Sequence, residues 1–224
     1  MRSSQRQCRR AKLLACCLTF HALWFTLPAQ AEETVAEAPA EPPRKWLAVG
    51  LGLGLALGGD DLIHVEFDTG DDTTLSAGNG VVADLGVLAV PFWFGPVGLG
   101  AALNLGIKYA GIEASNGSAS FTRFPLVAAA RGMYRLADTW SILASAGMHY
   151  DLGASLSGDG VLRDIDLDSD TALGWLIEAG AYYDEGSLAL DITLRYTALE
   201  YELGGVHVDA WSVGLFAGFY FFLL

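Results

Sequence analysis

The chain has 224 residues, 52% of them hydrophobic and 17% charged, with 26 acidic against 13 basic side chains and a formal net charge of −13. Such an acidic balance repels nucleic acid and anionic surfaces and removes nucleic acid from the expected partners. The length suits a single domain behind a processed leader.

Residues 1–31 carry Arg2, Arg6, Arg9, Arg10 and Lys12, then the apolar stretch "LLACCLTFHALWFTL", then Ala29-Gln30-Ala31. A basic start, an apolar middle and an A-x-A site predict a secretory signal peptide cut before Glu32. An uncleaved anchor and a lipobox at Leu13-Leu14-Ala15-Cys16 are the alternatives; the second would leave almost no apolar segment ahead of the cut. Cys8, Cys16 and Cys17 all lie in this leader, so the mature chain needs no disulfide or thiolate metal site. Cleavage leaves 8 basic against 26 acidic residues. Residues 32–44, "EETVAEAPAEPPR", are acidic and proline-rich without apolar periodicity, and read as a short disordered tail.

The stretch "KWLAVGLGLGLALGGDD", residues 45–61, has no charge between Lys45 and Asp60. Its period is two: Leu47, Val49, Leu51, Leu53, Leu55 and Leu57 share one face, and Ala48, Gly50, Gly52, Gly54, Ala56 and Gly58 share the other. A transmembrane helix needs about 20 apolar residues. Glycine at alternate positions would also cost a helix about 1 kcal/mol each relative to alanine. The run is a strand, with one side for lipid and the other for bulky neighbours.

The alternation recurs seven more times, over residues 81–94, 97–110, 120–134, 140–152, 172–184, 187–201 and 208–223. On the apolar faces Phe124 and Tyr134, Trp140 and Tyr150, and Trp211 and Phe221 are each ten residues apart. Ten steps of roughly 3.3 Å, tilted by about 40°, rise roughly 25 Å, the height of a lipid-facing band between aromatic girdles. A soluble sandwich or lipocalin-like barrel would have to turn these large side chains inward and would overfill its lumen. The expected fold is therefore all-β, an eight-stranded antiparallel transmembrane β-barrel over residues 45–224, closed because lipid satisfies no open edge.

Connections alternate in length. Gly95-Pro96, "LADT" (136–139) and Asp184-Glu185-Gly186 are short, while the others are longer or more polar. Short periplasmic turns and long outer loops put both termini on the periplasmic side. The first outer loop reads as a hairpin, since "IHVEF" alternates and "DTGD" is a turn signal. Pro91 and Pro125 each remove a ladder hydrogen bond and should mark bulges or strand ends.

From residue 45 onward, and most of all in "LRYTALEYELGGVHVDAWSVGLFAGFYF", the chain resembles the small outer-membrane β-barrel proteins of Gram-negative bacteria, of the OmpW and OmpA-barrel type. The resemblance implies residence in the bacterial outer membrane, with membrane lipids, lipopolysaccharide and the barrel-assembly machinery as partners and no cofactor. Barrels of this kind usually end in an aromatic residue read during assembly; here Leu223-Leu224 follow Phe222.

Eight strands enclose a lumen just wide enough for its own side chains. The inward charges are Asp84, Lys108, Arg123, Arg131, Asp151, Glu178, Asp191 and Arg195, four of each sign, together with His149. A balanced set predicts a mutually satisfied network and a plugged interior, because an unpaired buried charge costs several kcal/mol. The glycines of the first strand should make room for the arginines. In "DIDLDSD", Asp164, Asp166, Asp168 and Asp170 supply oxygen ligands, but counting from Asp164 the sixth and twelfth positions of a calcium loop hold Ser169 and Trp175, so a solvated strand extension is expected. With Asp60, Asp61, Asp68, Asp71 and Asp72 these residues make the outer loops acidic, open to divalent ions bridging to lipopolysaccharide. Lipid A-modifying enzymes of this architecture combine His with Ser and a carboxylate; Ser145, His149 and Asp151 share a face, with Glu178 on the next strand, but a triad is a matter of geometry. His64 and His207 are lone loop histidines. The expected role is non-enzymatic, in envelope integrity or surface interaction; a narrow porin-like conduit for small solutes or hydrophobic compounds and a lipid A-modifying enzyme are the alternatives.

Overall fold

A computed structural model of the protein describes residues 46–66, 72–114 and 117–223. The expected leader, the tail to residue 44, and Asp68 and Asp71 lie outside them. Every regular element among the described residues is a strand. Eight long ones form the barrel: β1 (Leu47–Leu57), β4 (Gly80–Phe94), β5 (Val97–Ala114), β6 (Gly117–Arg135), β7 (Trp140–Gly160), β9 (Ala172–Glu185), β10 (Leu188–Ala198) and β13 (Ser212–Phe222). Each pairs antiparallel with its neighbours, and β1 pairs with β13 from Ala48–Phe222 to Leu57–Val213, so the sheet closes on itself. Five short strands decorate the loop end: the hairpin β2 (Asp61–Glu66) with β3 (Asp72–Ser76), β8 (Asp166–Ser169) beside β7, and the hairpin β11 (Glu200–Leu203) with β12 (Val206–Asp209).

The alternation in the sequence is the alternation of faces. Leu51, Leu53, Leu55 and Leu57 point outward and are 57–70% exposed, while Ala48 and Ala56 on the same strand are buried. Such a continuous apolar exterior is stable only in hydrocarbon. Aromatic side chains ring both ends of this band. Trp140 lies 5.1 Å from Tyr183 near the short turns, and Trp175 lies 5.3 Å from Tyr196 toward the loops. The turns are tight because Gly95 and Gly186 supply the left-handed φ (60° at each) that other residues resist.

Both prolines sit at register shifts within strands. Between Ala89 and Phe92 the chain inserts a residue, so Val90 and Pro91 oppose Gly100 and outward parity passes from Val87 to Phe92 and Phe94. Opposite Pro125 the extra residue belongs to β7, where Leu152 and Gly153 face Phe124. Inward parity on β7 then changes from His149 and Asp151 to Ala154 and Leu156. Bulges re-aim side chains in this way. Past the barrel, β7 turns a new face to the axis, while β5 and β6 continue beside it toward Ala114 and Gly117 with their inward parity unchanged.

That new face carries an unexpected cluster. Phe121, Leu156, Leu199, Tyr201, Leu203 and Val208 pack together with Leu75 and Ala77 at the loop end. The polar-looking loop 199–210 is thus a hairpin whose Tyr201, Leu203 and Val208 turn into the mouth while Glu200, Glu202 and Asp209 face out. The seventh and eighth strands were expected to run to 201 and from 208; they stop at Ala198 and start at Ser212, and the residues between pair as this separate hairpin.

Candidate functional site

The inward faces of the eight strands build a lumen in layers. Nearest the short turns lies an apolar layer of Leu88, Val90, Met133, Leu143, Tyr182 and Tyr220. Nearest the loops lies the cluster around Phe121 and Tyr201. Between them sit all nine residues expected inside: Lys108, Arg123, Arg131, His149, Asp151, Glu178, Asp191 and Arg195 are each at most 8% exposed, and Asp84 is half-buried.

These residues form two tiers. In the inner tier, toward the turns, Arg131 donates from Nη1 to Asp191 (3.0 Å), from Nη2 to Glu178 (2.6 Å) and from Nε to Ser145 (3.1 Å). Arg195 donates to the other oxygen of Glu178 at 2.9 Å, and Tyr220 donates to Asp191 at 3.3 Å. The Arg195 guanidinium also lies 4.1 Å from the centroid of Phe216. Two arginines and two carboxylates cancel in charge, and the planar guanidinium of Arg131 matches a fork of oxygens that a lysine could not reach with one ammonium.

The outer tier is looser. Arg123 donates to the Tyr201 hydroxyl at 3.2 Å and lies between the rings of Phe121 and Tyr201, at 5.7 and 5.6 Å. Its Nε is 3.8 Å from Asp151 Oδ2, an ion-pair distance too long for a hydrogen bond. His149 Nε2 meets the other Asp151 oxygen at 2.9 Å. Lys108 donates to the Gly78 carbonyl and, at 3.5 Å, reaches the Ser212 hydroxyl. Asp84 has no hydrogen bond or ion pair among the described residues.

Two expectations need correcting here. The charges balance, but they are not all mutually satisfied: Asp84 and Lys108 stay apart. The inward glycines of β1 do not house arginines. A Cβ on Gly50 would meet the Phe219 carbonyl and the Tyr220 ring, one on Gly52 would meet Asp84, and one on Gly54 would meet Phe216. The cause is register: β1 lies between β4 and β13, whose inward side chains reach across it first. Phe216 and Tyr220 escaped the sequence reading because that reading took the inward face by its polar and glycine members. Parity alone places both beside Gly214 and Gly218.

Ser145, His149 and Asp151 do share the lumen face of β7. The serine bonds Arg131 while the histidine bonds Asp151, and no hydrogen bond joins Ser145 to His149. At the loop end the expected strand extension is β8, and Asp164, Asp166, Asp168 and Asp170 are all exposed. Among the described residues no group of three or more His, Cys, Asp or Glu side chains is arranged to hold a metal ion. His64 bonds Thr74 at 2.9 Å, and His207 is exposed. A groove of about 460 Å³ runs between β8 and the β11–β12 hairpin, lined by Asp168, Asp170, Glu200 and Glu202.

Comparison with known proteins agrees with this architecture. The crystal structure of Neisserial surface protein A is similar at 16% identity, covering 79% of this chain and 97% of that one, with a TM-score of 0.54. Ail, the attachment invasion locus protein of Yersinia pestis, is similar at 15% identity over 80% of this chain and 100% of that one, with a TM-score of 0.45. No curated protein sequence matches. Residues 21–219 match the family model described as outer membrane protein beta-barrel domain, and with a closed eight-stranded barrel whose greasy side faces outward, the chain belongs to that family of the bacterial outer membrane.

Proposed function

We propose that this protein is a non-enzymatic outer-membrane barrel with a plugged interior, working through its acidic outer face in surface interaction and envelope integrity. By the rule of short periplasmic turns, the hairpins β2–β3 and β11–β12 lie outside the cell. One observation carries the reading: apolar side chains occupy the lumen at both ends, and the open polar space is instead the outer groove lined by Asp168, Asp170, Glu200 and Glu202. Asp60, Asp61, Asp159, Asp164, Asp166 and Asp209 are exposed at the same end, with Arg163 as their near neighbour of opposite sign. A surface of that sign recruits cationic groups, whether divalent ions bridging to lipopolysaccharide phosphates or basic segments of another protein. Export through a cleaved leader at 1–31 and insertion by the barrel-assembly machinery complete the proposal. Enzyme chemistry is disfavoured because Ser145 is engaged by Arg131 and not by a histidine base.

Planar-bilayer recording of the refolded protein tests the plug. The expected record is a flat baseline with no reproducible unitary openings. Discrete steps of constant size would overturn the plugged reading in favour of a small-solute conduit.

A further inference from the structure

Strand register draws an open groove on the lipid-facing wall, at the loop end of the barrel. Tyr109 pairs with Val81, Val81 with Leu55, Leu55 with Leu215 and Leu215 with Leu194, so one outward row of side chains crosses five neighbouring strands. From end to end that row is four inter-strand steps, about 19 Å. The next row, Gly80, Ala56 and Gly214, has inward parity and offers only backbone to the outside. Beyond it Leu57 and Val213 point outward again. Between the two outward rows, bordered by Thr74 and Leu75 of β3, lies a groove of about 660 Å³. Clefts that take small ligands measure about 300–1,000 Å³ and are mostly apolar with a few placed polar groups.

The polar groups here gather at one end. The Tyr109 hydroxyl lies over Gly111, where a Cβ would come within 2.8 Å of it. Among the described residues that hydroxyl has no hydrogen bond, and Asn79 spends its Oδ1 on the Gly58 amide and keeps its Nδ2 hydrogens. These donors suit the carbonyl of an ester or amide. No lysine or arginine lines the groove, so a phosphate is not what it is shaped to hold.

The groove is continuous with the lipid-facing band, since Leu51 and Leu53 lie below Leu55 on the same outward face of β1. Hydrocarbon is therefore what reaches it. Barrel strands tilt by about 40°, so a row running across them climbs toward the outer surface, and a lipid tail can follow it from membrane core to head-group level. Lipid tails are as apolar as leucine, which leaves close packing to select among them. A chain lying in the groove is touched on several sides, where a passing chain gains contacts on one.

We propose that this groove binds one acyl chain of the lipid A part of lipopolysaccharide, with the chain's carbonyl accepting from the Tyr109 hydroxyl and Asn79 Nδ2. The site needs only the membrane orientation of the barrel and adds a lipid partner on the wall, independent of the acidic groove. The test is photolabelling of the refolded full barrel in phosphatidylcholine vesicles containing lipid A with a diazirine in an acyl chain, read by peptide mass spectrometry. The label should fall on Leu55, Val213 and Leu215, saturate at one per barrel, and be displaced by unlabelled lipid A but not by the same addition of phosphatidylethanolamine. Label that rises in proportion to the probe and spreads around the barrel, Ile142 of β7 included, would overturn the site. Equal displacement by the two lipids would overturn the assignment to lipid A. Leu55→Trp fills the middle of the groove from a lipid-facing position and should lose most of the saturable label, while Ile142→Trp keeps it; equal labelling of the two variants sinks the proposal. Tyr109→Phe removes one hydroxyl and no bulk, so its fold is not at risk. It should need more lipid A to saturate, and an unchanged saturation curve would remove the polar contact. Neutralising Asp168, Asp170, Glu200 and Glu202 should leave the label in place, so this site and the acidic surface fail separately.

Discussion

In the inner tier Arg131 engages Asp191, Glu178 and Ser145 with three different nitrogens, whereas in the outer tier, among the described residues, Lys108 donates only to a carbonyl and a hydroxyl and Asp84 has no hydrogen bond or ion pair. The same number of charges thus gives a closed network in one layer and open valences in the next. The difference lies in what surrounds them. The inner tier is backed by Tyr220 and Phe216, which lie over the glycines of β1 and press the arginines against their carboxylates. The outer tier sits where the β6–β7 register shifts at Pro125, and a void of about 20 Å³ lies among Asp84, Asn104, Lys108 and His149. Charge balance inside a barrel is therefore a weaker condition than charge satisfaction, and only the second makes a layer rigid.

The largest effect that would break this contrast is predicted for Arg131→Ala. It leaves Glu178 with its bond from Arg195 and Asp191 with its bond from Tyr220, each having lost the Arg131 partner while buried, and losing one partner of a buried pair costs about 3–5 kcal/mol. Equilibrium unfolding in lipid vesicles should show a loss of that size. Lys108→Met, in the looser tier, should cost less than half as much. Equal losses would mean that the two tiers are energetically alike and that the hydrogen-bond geometry does not distinguish them.

A smaller effect is predicted where glycine lets the inner tier close. A Cβ on Gly50 would meet the Phe219 carbonyl oxygen first and would come 2.6 Å from Cδ1 of Tyr220, whose hydroxyl donates to Asp191. Gly50→Val should cost about 1–3 kcal/mol through overpacking and should loosen the arginine cluster as Tyr220 moves. The same substitution combined with Tyr220→Ala should recover only the share due to the ring, because the Phe219 carbonyl oxygen, nearer to that Cβ, stays in place. If the double variant is no better than the worse single one, the backbone and not the ring sets the limit at Gly50.

Strand placement, face and the inward charges could be read from period and parity, because lipid on one side and a crowded lumen on the other impose period two throughout. Leu51 or Glu178 is placed by counting alone. Counting failed where an extra residue enters a strand: Phe92 and Leu156 have the opposite parity from the one extrapolated across Pro91 and across the residues facing Pro125. It failed also in 199–210, where Leu199, Tyr201, Leu203 and Val208 alternate as strands do but bury themselves in the mouth and not in lipid. Nothing local separates these destinations, since a two-residue period reports that one face is apolar and not what covers it. The pairing inside the lumen, Arg131 with two carboxylates and Asp84 with none, depends on strand stagger, which single-chain alternation does not encode.

The smallest effect on stability is predicted for the outer groove, and there the contrast turns from folding to binding. Asp168, Asp170, Glu200 and Glu202 are exposed and make no ion pair among the described residues, so neutralising all four as Asn and Gln removes repulsion and no partner. Unfolding midpoints should move by no more than about 0.5 kcal/mol, as is usual for surface changes away from structural features. If the acidic face recruits cationic groups, the wild-type barrel in neutral vesicles should bind an oligolysine peptide with an affinity that falls as salt rises, since exposed charges are screened over about 10 Å at 0.1 M. The fourfold variant should lose most of that binding and most of its salt dependence, while Lys108→Met, buried in the lumen, should leave both unchanged. Binding retained by the fourfold variant would move the recognition surface away from this groove, toward the acids of β2 and the 159–164 turn. Binding lost in Lys108→Met would instead tie the outer face to the lumen below it through the Gly78 carbonyl that Lys108 holds.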